Sequence, residues 1–128
     1  TGVQTCALPI YWIFVDDHCE AILSVIFNGK TGESYNISAD NEIDNLSIIN
    51  QILSLMDRSS ELIYFVEDRP GHDLRYSLDS SKIKNQLGWK RKTNFEQGLT
   101  KTVNWYLSHD EWWGDISSQT LSNTPWKI

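Results

Sequence analysis

Apolar residues along this chain fall into two alternating kinds of run, some short and dense, others longer and periodic. Trp12-Ile-Phe-Val15 is dense, brief and rich in β-formers, which predicts a strand. Asp16-Asp17-His18 then supplies an N-cap and an acidic first turn, and Ala21, Ile22, Val25 and Ile26 mark one face of the helix behind it. Turn residues from Asn28 to Gly32 stop that helix. Ser34-Tyr-Asn-Ile-Ser38 reads as a buried strand, and the polar residues after it, through Asp44, read as a loop. A second helix follows, capped by Asp44 or Asn45, with Leu46, Ile49, Ile52, Leu53 and Met56 on one face. Leu62-Ile-Tyr-Phe-Val66 is the clearest strand pattern in the chain. After a charged loop, helices are expected over about 80–87 and 95–107, then an irregular tail from Asp110.

Strands alternating with helices predict an α/β unit with some parallel pairing. So few short strands cannot make a large sheet, and an apolar strand such as 62–66 calls for cover on both faces. The pattern therefore describes part of a larger enzyme. Composition agrees with a folded protein: 40% of the 128 residues are hydrophobic and 12% aromatic. The formal net charge of −6 argues against a nucleic-acid or anionic-membrane partner, which a basic surface would bind. No apolar run is long enough to span a bilayer. Cys6 and Cys19 have neither disulfide-framework nor metal-ligand spacing, so a cytoplasmic protein is expected. The first ten residues, TGVQTCALPI, lack the basic and apolar regions of a secretory signal, and Pro9 disfavours a strand there. They resemble the translation of a sequencing-adapter oligonucleotide. On that resemblance residues 1–11 are an artefact, 12–109 the domain and 110–128 its tail.

The segment richest in chemistry is Glu67-Asp68-Arg69-Pro70-Gly71-His72-Asp73-Leu74-Arg75-Tyr76, directly after a predicted strand, where open α/β folds place ligands. Pro70-Gly71 suits the centre of a type II turn that would fix Arg69 and His72. Arg69, His72 and Arg75 form a cationic cluster in an acidic protein, suited to a diphosphate. The plainer alternative is a surface turn whose cations pair with Glu67, Asp68 and Asp73. At the start of the second helix, Asn45 either caps or binds a polar ligand edge. His18 and His109 lack any second ligand at workable spacing, so no metal is expected. Helix capping accounts for Asp16 and Asp17, and Cys19 is expected to be buried. No G-x-G-x-x-G occurs, and none of the five tyrosines has a lysine four residues later.

Those absences matter because the rest of the pattern resembles the dTDP-glucose 4,6-dehydratase family of extended short-chain dehydrogenase/reductases. The matching pieces run in family order: Trp-Ile-Phe-Val-Asp-Asp-His (12–18), Gly-Glu-Ser-Tyr-Asn-Ile (32–37) and Asn-Glu-Ile-Asp-Asn-Leu (41–46). Asp-Arg-Pro-Gly-His-Asp-Leu-Arg-Tyr (68–76), Asp-Ser-Ser-Lys-Ile (79–83), Leu-Gly-Trp (87–89) and Lys-Thr-Val-Asn-Trp-Tyr-Leu (101–107) follow. The resemblance implies the C-terminal, substrate-binding part of a Rossmann-like NAD enzyme: an incomplete sheet of short strands with flanking helices. It implies a parent enzyme, expected to be a homodimer, that removes water from dTDP-glucose, with NAD taking a hydride from C4 and returning it at C6. NAD and the catalytic residues would belong to the N-terminal domain, so no catalytic residue is expected in this chain. Asp68, Arg69, Pro70, Gly71 and His72 would line the nucleotide-diphosphate pocket, and Asn45 would contact the nucleotide side. A related UDP- or GDP-sugar epimerase or decarboxylase, or a non-catalytic nucleotide-sugar-binding module, is the alternative. The chain departs from the family in two places. Ser38-Ala39-Asp40 replaces a Gly-rich run, and Ile10 stands where a phosphate-contacting arginine is usual.

Overall fold

The computed structural model describes residues 3–4, 10–66 and 78–114. In chain order the elements are β1 (Val3–Gln4), β2 (Ile10–Tyr11), α1 (Val15–Asn28), β3 (Glu42–Ile43) and α2 (Asn45–Leu55). A 3-10 turn (Ser60–Leu62), β4 (Phe65–Val66), α3 (Ser81–Leu87), α4 (Phe95–Ser108) and α5 (Asp110–Trp113) complete the series. Short strands flanked by helices make this a partial α/β fold of Rossmann-like type. The strands pair two by two. β1 runs parallel to β4, and β2 antiparallel to β3 with Ile10 opposite Ile43 and Tyr11 opposite Glu42.

The helices follow the sequence closely. Asp44 caps α2, its carboxylate accepting the Ser47 amide at 2.8 Å. Gly88 closes α3 in the left-handed region (φ 67°) with its amide on the Lys84 carbonyl, which only glycine does without strain. Asn94 caps α4 through the Gln97 amide at 2.8 Å. At Gly98 of α4 the absent side chain has a steric reason: a Cβ there would sit 3.0 Å from the Phe14 Cβ. The core is Ala21, Ile83 and Trp89, with Ile13, Val25, Tyr35, Ile37 and Leu87 packed around it. That joins α1 to α3; α2 in turn contacts α4, and these helices bury Ile48 and Val103 respectively.

Several expectations are corrected. The strand expected at 12–15 is found instead as β2 at Ile10–Tyr11, two residues earlier, and Val15 already belongs to α1. The opening residues, expected to form no strand, contribute β1 and half of β2. Residues 34–38 belong to no described strand; Tyr35 and Ile37 are half-buried against the core and Ser38 is buried. The stretch read as loop contains β3, because Glu42 and Ile43 find a partner in β2. Of 62–66 only Phe65–Val66 is strand, since Leu62 closes the 3-10 turn. The tail opens with the single turn of α5, tied back by the Trp113 Nε1–H donating to the Tyr106 carbonyl at 3.0 Å. On α1, Ala21 is buried and Val25 packs on the core, but Ile22 and Ile26 are exposed.

Candidate functional site

Asn45 is the first residue of α2, and the cap beside it decides what it can do. Asp44, in extended conformation, accepts both the Ser47 amide and the Ser47 hydroxyl. Those bonds, the hydroxyl's foremost, hold the Asp44 carboxyl below its ordinary range. Capping therefore belongs to Asp44, and the Asn45 amide is released from it. Asn45 is half-buried, and among the described residues its side chain makes no hydrogen bond. Its donor and acceptor stand beside a carboxylate that already occupies the helix N-terminus. Such a position repels a phosphate and suits an uncharged polar edge.

The chain before it is held from several sides. The Trp12 indole N–H donates to the Ile43 carbonyl at 3.2 Å, reinforcing the pairing of β2 with β3. Ile10, the position of the absent arginine, thus lies opposite Ile43, two residues before Asn45. Asn41 has both polar atoms of its amide buried and unpartnered among the described residues. It opens the Asn-Glu-Ile-Asp-Asn-Leu run of 41–46, in which the sequence points to Asn45 rather than to Asn41. Residues 68–72, with Asp68, Arg69, Pro70, Gly71 and His72, lie outside the described residues, so Asn45 is the sequence-derived site residue whose surroundings are visible.

The other singled-out residues take structural places. Asp17 is not a cap: it is 3% exposed, and its two carboxylate oxygens accept the Lys92 and Thr93 amides at 3.0 Å each. Phe14 occupies the N-cap of α1 without a side-chain bond. Cys19, expected to be buried, is exposed. His109 stacks on Trp105 with centroids 4.6 Å apart, its Nδ1 on the Trp105 carbonyl at 2.8 Å. Among the described residues no group of His, Cys, Asp and Glu is arranged to hold a metal, and no helix is long and apolar enough to cross a membrane.

The described residues do not fit NAD. A dinucleotide cradle needs a glycine-rich turn opening a helix whose free N–H groups meet the pyrophosphate. The first turn of α1 instead carries Asp16 and Asp17, and that of α2 is satisfied by Asp44.

Comparison with known proteins places the chain. A family model described as GDP-mannose 4,6 dehydratase matches residues 11–102. A probable dTDP-glucose 4,6-dehydratase of Sinorhizobium fredii is 40% identical over 130 aligned positions, covering 90% of this chain and 37% of that protein. The crystal structure of dTDP-glucose 4,6-dehydratase from Bacillus anthracis in complex with NAD superposes with a TM-score of 0.83 at 39% identity, covering 91% of this chain and 37% of that one. The Streptomyces venezuelae dTDP-glucose 4,6-dehydratase with NAD and TYD bound also gives 0.83, at 36% identity, over 88% of this chain and 35% of that one. The chain thus spans well under half the length of the relatives it matches. With its caps, its Leu-Gly-Trp turn and its partial α/β fold, the chain belongs to the GDP-mannose 4,6-dehydratase family, as a part-length relative of dTDP-glucose 4,6-dehydratases.

Proposed function

We propose that this chain is the substrate-binding part of a cytoplasmic dTDP-glucose 4,6-dehydratase. The parent enzyme would convert dTDP-glucose to the 4-keto-6-deoxy sugar. NAD, held by other parts of that protein, would supply the hydride acceptor and donor. In this chain Asn45 would meet the uncharged nucleoside side of the substrate. Arg69 and His72, set by Pro70-Gly71 and flanked by Asp68, would meet the diphosphate through charge-assisted hydrogen bonds. The observation that carries the reading is the likeness of 90% of this chain to 37% of a probable dTDP-glucose 4,6-dehydratase. The free amide of Asn45 beside an already capped helix end supports the division of labour between nucleoside and diphosphate.

The test is calorimetric titration of the full-length enzyme with dTDP, UDP and GDP, followed by assay of 4-keto product from dTDP-glucose. The expected result is tightest binding of dTDP, weakened about tenfold or more by Arg69→Ala and by His72→Ala. The 128-residue chain alone should give no turnover. Preference for GDP or UDP would move the assignment to another nucleotide sugar, and turnover by the chain alone would overturn the placement of the catalytic residues elsewhere.

A further inference from the structure

A seam of polar contacts fastens residues 33–40 to α3 and the residues just before it. At its far end the Lys82 ammonium donates to Glu33 at 2.7 Å and to the Ser34 carbonyl at 2.8 Å, and lies 4.8 Å over the Tyr35 ring. In the middle, the Asn36 amide donates to the Asp79 carbonyl at 3.3 Å, and the Tyr35 hydroxyl to Gln86 at 3.2 Å. At its near end stands Asp40. The Ser80 hydroxyl, in a residue only 1% exposed, donates to Asp40 Oδ1 at 2.8 Å, and Lys84 pairs with Oδ2. Asp40 also has φ 52°, in the left-handed region, whereas Ser38 and Ala39 do not. Of the residues replacing the Gly-rich run, only Asp40 uses the backbone freedom glycine gives, and it adds bonds that glycine cannot make.

From Asp40 the chain runs through the buried amide of Asn41 and the paired strand β3 to Asp44 and Asn45. Its direction into β3 is set by the backbone turn at Asp40, and that turn is held by Ser80 and Lys84. We propose that Asp40 is a positioning residue: its clasp to Ser80 and Lys84 sets the placement of Asn45 and hence the affinity for the nucleotide. The proposal rests on the assignment of Asn45 to the nucleotide side.

The test uses full-length enzyme carrying Asp40→Gly, Asp40→Asn or Lys82→Met, with Kd for dTDP and the steady-state constants for dTDP-glucose. Glycine keeps the backbone turn without strain and removes both bonds, so the fold is retained while the clasp is lost. Expected is a rise of about threefold to tenfold in Kd and KM for Asp40→Gly, with kcat within about twofold. Asparagine, which tolerates the left-handed region and still accepts from Ser80, should recover part of the loss. Lys82→Met breaks the far end of the seam and should lower the melting temperature without moving Kd. An unchanged Kd in Asp40→Gly, or equal shifts in Asp40→Gly and Lys82→Met, overturns the positioning role. A wild-type enzyme with no affinity for dTDP overturns the functional reading itself, and the positioning role with it.

Discussion

A carboxylate inside a protein stays there only if donors replace the water it gave up, and Asp17 has two, the Lys92 and Thr93 amides. Asp17→Ala takes the partner from both N–H groups at a part-buried place and should cost about 1–3 kcal/mol, read as a lower denaturant midpoint at unchanged m-value. Asp17→Asn should cost less, since its amide oxygen still accepts one of the bonds. Cap-like neighbours give Asp17 the look of a helix cap, whereas its partners lie 75 and 76 positions away. Asp44 was legible for the opposite reason: its partner, Ser47, is three residues on. Asp44 also predicts a pH effect. Its Ser47 bonds depress the folded-state carboxyl below the ordinary 3.8, so its contribution is fully present above that value and lost as pH falls through the lower folded one. Wild type and Asp44→Ala should therefore differ in Ser47 amide-exchange protection at about pH 6 and converge as acidification protonates the carboxyl, at a pH below its ordinary range. A gap that stays constant into acid would exclude the charge-assisted cap.

Between elements, the tightest fit is α4 against Phe14. Glycine inside an exposed helix costs roughly 1 kcal/mol relative to alanine, so Gly98→Ala would ordinarily stabilise α4. Here the new methyl meets the Phe14 side chain from 3.0 Å outward, close to its Cβ, where the ring cannot swing clear. Gly98→Ala should therefore lower stability, and Gly98→Val by more. Adding Phe14→Ala to Gly98→Ala should recover part of the loss, a coupling that a double-mutant cycle in thermal melts measures. Additive losses would show that the contact is not the cause. Helices were the readable elements because capping and period are local: α3 and α4 end within a residue or so of where their pattern stops. Strands were not, because a ladder depends on which segment lies alongside. The strand-like stretch 34–38 pairs with no described strand, whereas the polar Glu42 is recruited opposite Tyr11. Period also gives spacing without phase. In α2 the buried residue is Ile48, one turn before Ile52 at the edge of the face drawn through Leu46, Ile49, Ile52, Leu53 and Met56.

Over the whole molecule the unbalanced feature is α1, which is apolar on more than one side. Ala21 and Val25 face the core, while Val15, Cys19, Ile22 and Ile26 recur at helical spacing on an exposed face, flanked by Leu23 and Phe27. Phe27 is 77% exposed and Ile26 66%, although an apolar helix face normally packs inside a protein. An apolar face of this extent on a chain of net charge −6 favours association despite the electrostatic repulsion between copies. The chain by itself should scatter light and bind a hydrophobic dye. The double substitution Ile26→Glu with Phe27→Lys should reduce both signals, because it breaks the stripe without touching the core residues Ala21 and Val25. In full-length enzyme, where the remaining chain can cover the face, the same pair should act in the other direction and lower the melting temperature, through charges buried without partners. The two contexts together are decisive, since a merely solubilising surface change would help in both. Dye binding and scattering by the substituted chain at wild-type levels, or a full-length enzyme whose melting is unaltered, would show that this face needs no cover.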